Sequence, residues 1–323
     1  MTTAGVREFI GLSATEDPSC WRLAVTPAAL TPAGAVQGGV VFAAAVEAMQ
    51  GSTGRRLAWA TGQYLSHLGH PATASVSVRI DVAGHRTTQA RAVVSHDRTD
   101  VLVAIGAFGQ RGSALDGTWV TAPTVPTPDA CAPRAIPGRP DGTAVCDVRA
   151  AVGRSYPDVD GHRGPGRSAS WVRLPGGGRR VPSAGDLAII GDFVMLEVAD
   201  AVGVAVTGNS LDNTLRSAHR ADTEWVLLDA TIHAVAGGFC SATADLWAED
   251  GTLPRDGQSD HGAARARAQR RPARADPADH RWVTVGETAA RQRRRARPSG
   301  GWSMPARRRT LTWSLRSVRQ ATP

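Results

Sequence analysis

Acid, hydroxyl and imidazole groups lie close together in one stretch of this sequence. Alternation along Trp225 to Val235 puts Trp225, Leu227, Asp229, Thr231, His233 and Val235 on one face of a strand. A carboxylate, a hydroxyl and an imidazole on one face could share acid–base work on a polar substrate. They could equally be a half-buried polar pair beside a β-branched residue in its favoured setting. His96 beside Asp97 is a second acid–imidazole pair. Gln37-Gly38-Gly39 opens an apolar helix, where backbone N–H groups could stabilise an oxyanion and glycine permits close approach. Simple packing of the helix against its neighbours would also call for these glycines. Cys20, Cys131, Cys146 and Cys240 lack metal-ligand spacing, which predicts four free thiols in a reducing compartment.

Composition narrows the partners. All 37 basic residues are arginine, which with the Ala, Gly and Pro content suggests a GC-rich gene. Residues 1–253 hold 20 Arg against 24 acids, and residues 254–323 hold 17 Arg against 5, so the net charge of +8 comes entirely from the tail. The mildly acidic body offers no electrostatic footprint for nucleic acid. The tail run Arg291, Arg293 to Arg295 and Arg297, with Trp282, Trp302 and Trp313, has the look of a nucleic-acid arm. A solvated charge run is the plainer reading. The longest apolar segments, Gly39 to Met49 and Leu187 to Val204, are too short or too interrupted by acids to span a bilayer. With no secretory signal in sight, a cytoplasmic location is expected.

The elements that must position these groups come twice. Trp21 to Val25 reads as a strand, and Val40 to Met49 as a helix apolar nearly all round and therefore buried. Strands follow at Leu57 to Leu68, Thr73 to Val82, Thr87 to His96 and Val101 to Gln110. Residues 111–168 are rich in Pro, Gly, Asp and Arg and read as a surface linker with one short strand around Val145 to Val148. The pattern then recurs. Ser170 to Leu174 is a strand, Ser183 caps a helix over Leu187 to Ala201, and strands follow at Asn209 to His219, Glu224 to Val235 and Phe239 to Ala248. The expectation is an α+β double hotdog, two antiparallel sheets each wrapped around one buried helix. Its divisions are 1–110, the linker 111–168, a second hotdog at 169–253, and an Arg-rich tail at 254–323.

Within that frame several short pieces resemble the acyl-CoA thioesterase II (TesB-like) family. They are Gly38-Gly39, Ser210-Leu211-Asp212-Asn213-Thr214-Leu215, Glu224-Trp225-Val226-Leu227, and Leu246-Trp247 followed by Asp250-Gly251-Thr252-Leu253. The resemblance covers about residues 20–253. It implies hydrolysis of acyl-CoA by water held by an Asp, a Ser or Thr and a Gln, with no metal and no cofactor. By that resemblance Asp212 is the base, Thr231 the hydroxyl partner, and Gly38 and Gly39 the oxyanion donors. Asp212 as a turn or strand-edge acid is the alternative. Hotdog proteins usually associate, so a homo-oligomer is also expected. A non-catalytic acyl-binding hotdog stays open, as does a hotdog hydratase, for which His96 and Asp97 are the one neighbouring pair.

The resemblance breaks after Leu253. The family's Gln falls at Ser259, Gln258 is one residue short, and Pro254 to Ala264 has no strand period. Back-translated with GC-rich codons and read one base later, Arg255 to Ala263 becomes Ala-Thr-Ala-Ser-Gln-Thr-Met-Val-Leu, a strand with Gln at the family's offset. A one-base insertion near Pro254 is therefore expected, leaving an out-of-frame, disordered tail, a missing last strand and an exposed sheet edge. Such a chain is expected to be of low stability and weakly active or inactive.

Overall fold

The run Gly38–Thr53 becomes helix α2, and every residue from Gly39 to Met49 is buried. No sheet face could cover such a helix from one side alone, so strands wrap it. Full burial of Phe42, Val46 and Met49 contributes about 1.5–3 kcal/mol each. The computed structural model describes residues 5–31, 34–69, 73–110, 118–134, 146–155, 158–216, 221–251, 309–310 and 312–319, all within one compact unit.

A short helix α1 (Val6–Ile10) and strands β1 (Leu12–Ala14) and β2 (Cys20–Ala24) precede α2. After it come β3 (Leu57–Tyr64), β4 (Thr73–Ala83), β5 (Thr87–His96) and β6 (Thr99–Gly109). Strand β4 puts Ala74, Val76 and Val78 on the core side, whereas Ile80, which continues the same alternation in the sequence, is exposed. The segment read as a linker does more than cross the surface. It carries β7 (Ala132–Pro133) and β8 (Val148–Val152), and it buries Cys131, Arg134, Cys146 and Val148. Then follows β9 (Arg167–Arg173).

The second helix is capped as expected, with Ser183 and Asp186 forming a reciprocal capping box. It is not one regular helix, however. Helix α3 (Ala184–Gly191) passes into a 3₁₀ stretch, Asp192–Glu197, and resumes as α4 (Val198–Val202). Strands β10 (Val206–Thr207), β11 (Ser210–Arg216), β12 (Trp225–Ala236) and β13 (Phe239–Ala248) complete the second set, and β14 (Arg309–Thr310) and β15 (Thr312–Arg319) come from the tail.

Thirteen strands form one sheet in the order β1-β2-β4-β5-β6-β3-β11-β15-β13-β12-β9-β8-β7. Its two halves repeat one topology. In the first, β2-β4-β5-β6-β3 surround α2; in the second, β9-β12-β13-β15-β11 surround α3. The seam is the antiparallel pair β3–β11, from Asp212 opposite Gln63 to Arg216 opposite Trp59. This is the α+β double hotdog that the sequence predicts. The gap expected beside β13 is filled by β15, which runs parallel to both β11 and β13. Two strands with unpaired N–H and C=O groups recruit any strand-competent segment within reach, which is why the expected bare edge is absent there. Ser259, Gln258 and the basic run at Arg291 to Arg297 lie outside the described residues.

Candidate active site

Helices α2 and α3 lie side by side, and each helix start meets an acid of the other. At the α2 start, Gln37 is extended and ends the preceding loop, and Gly39 donates its backbone N–H to Asp192 Oδ2 at 2.8 Å. No side chain fits at position 39. An added Cβ would stand 2.8 Å from Asp192 Cβ and 2.9 Å from backbone atoms of Ala188 and Ile189. At Gly38 a Cβ would lie 3.3 Å from Asp192 Oδ2 and 3.3 Å from a Tyr64 ring carbon. Gly38, Tyr64 and Asp192 therefore converge on one close-packed spot, with Gly38 contributing an N–H that the helix itself leaves without an acceptor.

Asp192 is buried and is held entirely by neutral donors. Besides Gly39, Ser210 Oγ donates to its Oδ1 at 2.8 Å and Asn213 Nδ2 donates at 3.0 Å. The same Asn213 amide donates to the Tyr64 hydroxyl at 3.0 Å. Burial, followed by the negative charge of Asp192, pushes the Tyr64 hydroxyl well above its usual pKa, so it remains a proton donor. Two further polar atoms, Gln37 Oε1 and Asn213 Oδ1, are buried without a protein partner. Orphaned acceptors of this kind are features that a bound molecule could satisfy.

The setting of Asp192 stands out against the other buried acids. Glu47, Asp186, Glu197, Asp200 and Asp229 are each paired with an arginine, respectively Arg7, Arg180, Arg134, Arg154 and Arg167. Among the described residues Asp192 is the one buried carboxylate with no cation beside it. An uncompensated buried carboxylate is costly, and such groups cluster where chemistry is done. The matching position in the other half shows the contrast. There Gly185 donates its N–H to Glu47 Oε1 at 3.0 Å, but Arg7 neutralises Glu47 at 2.9 Å. The two helix starts are alike in geometry, and only one has its acid paired with an arginine.

The residues singled out in the sequence are divided by this geometry. Gly38 and Gly39 sit at the site, with the Gly39 N–H committed to Asp192. Asp212 and Thr231 lie on other strand faces, although the charge of Asp212 also acts to raise the Tyr64 hydroxyl. On β11, Asn213 and Leu215 face the helices, whereas Thr214 turns to Thr61 on the far side, and alternation puts half-buried Asp212 with Thr214. On β12, Val226, Leu228 and Ala230 enter the main core, while Trp225 and Leu227 pack outside with Trp171 and Trp247. Thr231 shares that outer face, opposite Thr243 and Arg167. Asp229 is bound by Arg167 at 3.1 Å, and His233 Nε2 meets Thr243 Oγ1 at 2.9 Å. His96 and Asp97 form the turn joining β5 to β6, with positive φ at Asp97 and Arg98. That is a hairpin role.

Asp192 was missed because it sits inside the apolar run Leu187 to Ala201, where it reads as a flaw in a buried helix. A carboxylate at that point, and the switch to 3₁₀ geometry beginning on it, were the available signals. An open cavity of about 630 Å³ lies elsewhere, walled by Val202, Val206, Ile232 and Gly238 with Arg163 and His233; none of Gly38, Gly39, Tyr64 or Asp192 lines it. All four cysteines are free. Burial raises Cys240 to about 11, so it is a poor nucleophile. Among the described residues no group of His, Cys, Asp and Glu is placed to hold a metal, and no helix is long and apolar enough to cross a membrane.

Comparison with known proteins gives this geometry a lineage. Residues 128–253 match the family model of the acyl-CoA thioesterase C-terminal domain. A solved protein from Novosphingobium aromaticivorans assigned as a thioesterase is 28% identical, with a TM-score of 0.65 over 75% of this chain and 94% of its own. A tesB protein from Mycobacterium avium subspecies paratuberculosis is 19% identical, with a TM-score of 0.60 over 77% and 94%. An acyl-CoA thioesterase II from Mycobacterium marinum is 16% identical, with a TM-score of 0.57 over 77% and 92%; these last two likenesses concern the fold. No curated protein matches the sequence. The family match stops at residue 253, where the sequence pattern breaks, and about three quarters of this chain spans nearly the whole of each relative. Residues 128–253 thus match the acyl-CoA thioesterase C-terminal domain, and the double-hotdog fold is similar to that of TesB-like thioesterases.

Proposed function

We propose that the chain descends from, and is built as, a cytoplasmic hydrolase of acyl-CoA thioesters in fatty-acid metabolism, with Asp192 rather than Asp212 as the base. The observation that carries this reading is the buried Asp192 carboxylate, held by Gly39, Ser210 and Asn213 with no cation beside it. The carboxylate takes a proton from water as the water oxygen attacks the thioester carbonyl carbon. Charge on the carbonyl oxygen is met by the Gly38 N–H, the positive end of the helix and the Tyr64 hydroxyl. The C–S bond then breaks, and the proton held by Asp192 passes to the departing CoA sulfur. Thr231 is too far round its strand to help, and the Gly39 N–H orients the base instead of the oxyanion.

We also infer that activity is impaired by a one-base insertion near codon 254. Two of the three donors to Asp192, Ser210 and Asn213, sit on β11, and β11 borders the position that β15 now fills. The end of the family match at residue 253 supports the same break point. A second reading, an acyl-binding hotdog without catalysis, is favoured by one feature: both Asp192 oxygens already accept hydrogen bonds from protein. Sequencing across codons 250–265 and assaying CoA release by the given and frame-restored proteins tests all of this. Release by the restored protein that Asp192→Asn abolishes supports hydrolysis. A restored protein that binds acyl-CoA yet releases no CoA leaves the binding role.

A further inference from the structure

We propose that the cleft between β11 and β13 is an acceptor site for an extended peptide strand running antiparallel to both, and that β15 is a replaceable occupant of the wrong polarity. The inference goes beyond the thioesterase reading, and its probe peptide rests on the one-base insertion inferred above. Its first support is the internal repeat. In the first half, β6 lies between β5 and β3 and is antiparallel to each. In the second half, β15 holds the same place between β13 and β11 and is parallel to each.

Strand β15 pairs with β13 from Phe239 to Asp245 with a single register shift, but on the β11 side the substitute fits poorly. Strand β6 follows β3 from Leu57 to Tyr64 with a single register shift, whereas β15 meets β11 at only Ser210, Asp212 and Leu215, with a shift in each interval. The described chain leaves β13 through a glycine turn. After β13 it turns sharply, with the Gly251 N–H bonded to Ala248 O at 3.0 Å and Gly251 at φ 77°. A turn of two residues, Asp97 and Arg98, likewise closes β5 before β6.

The chemistry of the partner follows from the walls. Leu215 on β11 and Ala242, Ala244 and Leu246 on β13 face the main core. The strand must therefore offer apolar side chains at alternate positions, with backbone hydrogen bonds supplying the affinity. A lipid, a nucleotide or a folded domain cannot meet those demands.

The test uses the full chain and a labelled synthetic peptide, Ala-Thr-Ala-Ser-Gln-Thr-Met-Val-Leu, followed by fluorescence anisotropy and hydrogen exchange. Saturable one-to-one binding is expected, with new amide protection confined to residues 210–216 and 239–248. A peptide with proline at its centre should not bind, because it lacks a ladder donor. Leu315→Pro, placed in β15, should tighten binding by about tenfold by raising the fraction of chains with an open cleft. Absence of binding to the unaltered chain, equal binding of the proline peptide, or protection at the outer strands β1 and β7 would each overturn the proposal. Hydrolysis plays no part in these readouts, so a frame-restored protein that releases no CoA would retire the thioesterase reading and leave the acceptor site standing.

Discussion

Asp192 accepts the Gly39 N–H at 2.8 Å across 153 positions of sequence, and the contact fixes both the carboxylate and the start of the helix it faces. In the frame-restored protein, Asp192→Asn is expected to lower kcat for acyl-CoA by roughly 10²–10⁴, the range of a lost general base. Asp212→Asn, on the other face of β11, should change kcat by less than about threefold. Release of CoA thiol checks both, and equal losses would send the base assignment back to Asp212.

Gly39→Ala is expected to destabilise the chain by about 2–3 kcal/mol, since its Cβ would collide with the α3 backbone rather than with a movable side-chain tip. Gly69→Ala has open space around it and should lie within about 0.5 kcal/mol of the parent. Urea midpoints of the two variants decide the matter.

Asp186 gives a pH dependence of known sign. Burial raises its pKa to about 6 against Arg180 and the Ser183 hydrogen bonds, which lower it. The folded state therefore binds its proton more tightly than the unfolded state does. The resulting stabilisation is full below about pH 4 and is lost as pH rises toward 6. The stability of the parent minus that of Asp186→Asn should fall by roughly 2–3 kcal/mol between pH 4 and 6.5. A flat difference would mean that the carboxyl is solvated.

Arg134 and Glu197 form an ion pair at 2.6 Å with both side chains almost wholly buried, and Ser170 Oγ adds a hydrogen bond at 2.7 Å. Arg134→Met alone should cost about 3–5 kcal/mol by stranding a buried charge. Adding Glu197→Leu should recover much of that loss, and a double-mutant cycle in urea measures the recovery.

The helices and strands were legible because their periods are plain. Val76, Val78 and their polar neighbours alternate, and Val40 to Met49 admits one charge, Glu47. The Ser183 cap was legible from residue type and spacing. The site was read only in part. Gly38 and Gly39 declare themselves by chain-local rules, but the acid that meets them depends on how two helices pass each other, which no local pattern encodes. The burial of Arg134 was hidden for the same reason, since its partner Glu197 lies 63 positions away. Segment 111–168 reads as a surface linker with one short strand because its Pro and Gly content outweighs the few residues that anchor β7 and β8 to the sheet edge.

The β3–β11 seam has a mechanical consequence. Residues 59–63 and 212–216 are laced by backbone hydrogen bonds, so the two halves share a continuous ribbon rather than a hinge. Prying them apart means shearing that ribbon, and neither half can breathe or melt without fraying the other. Heating should therefore give one calorimetric transition, and pulling the halves apart should meet its main resistance at this lacing.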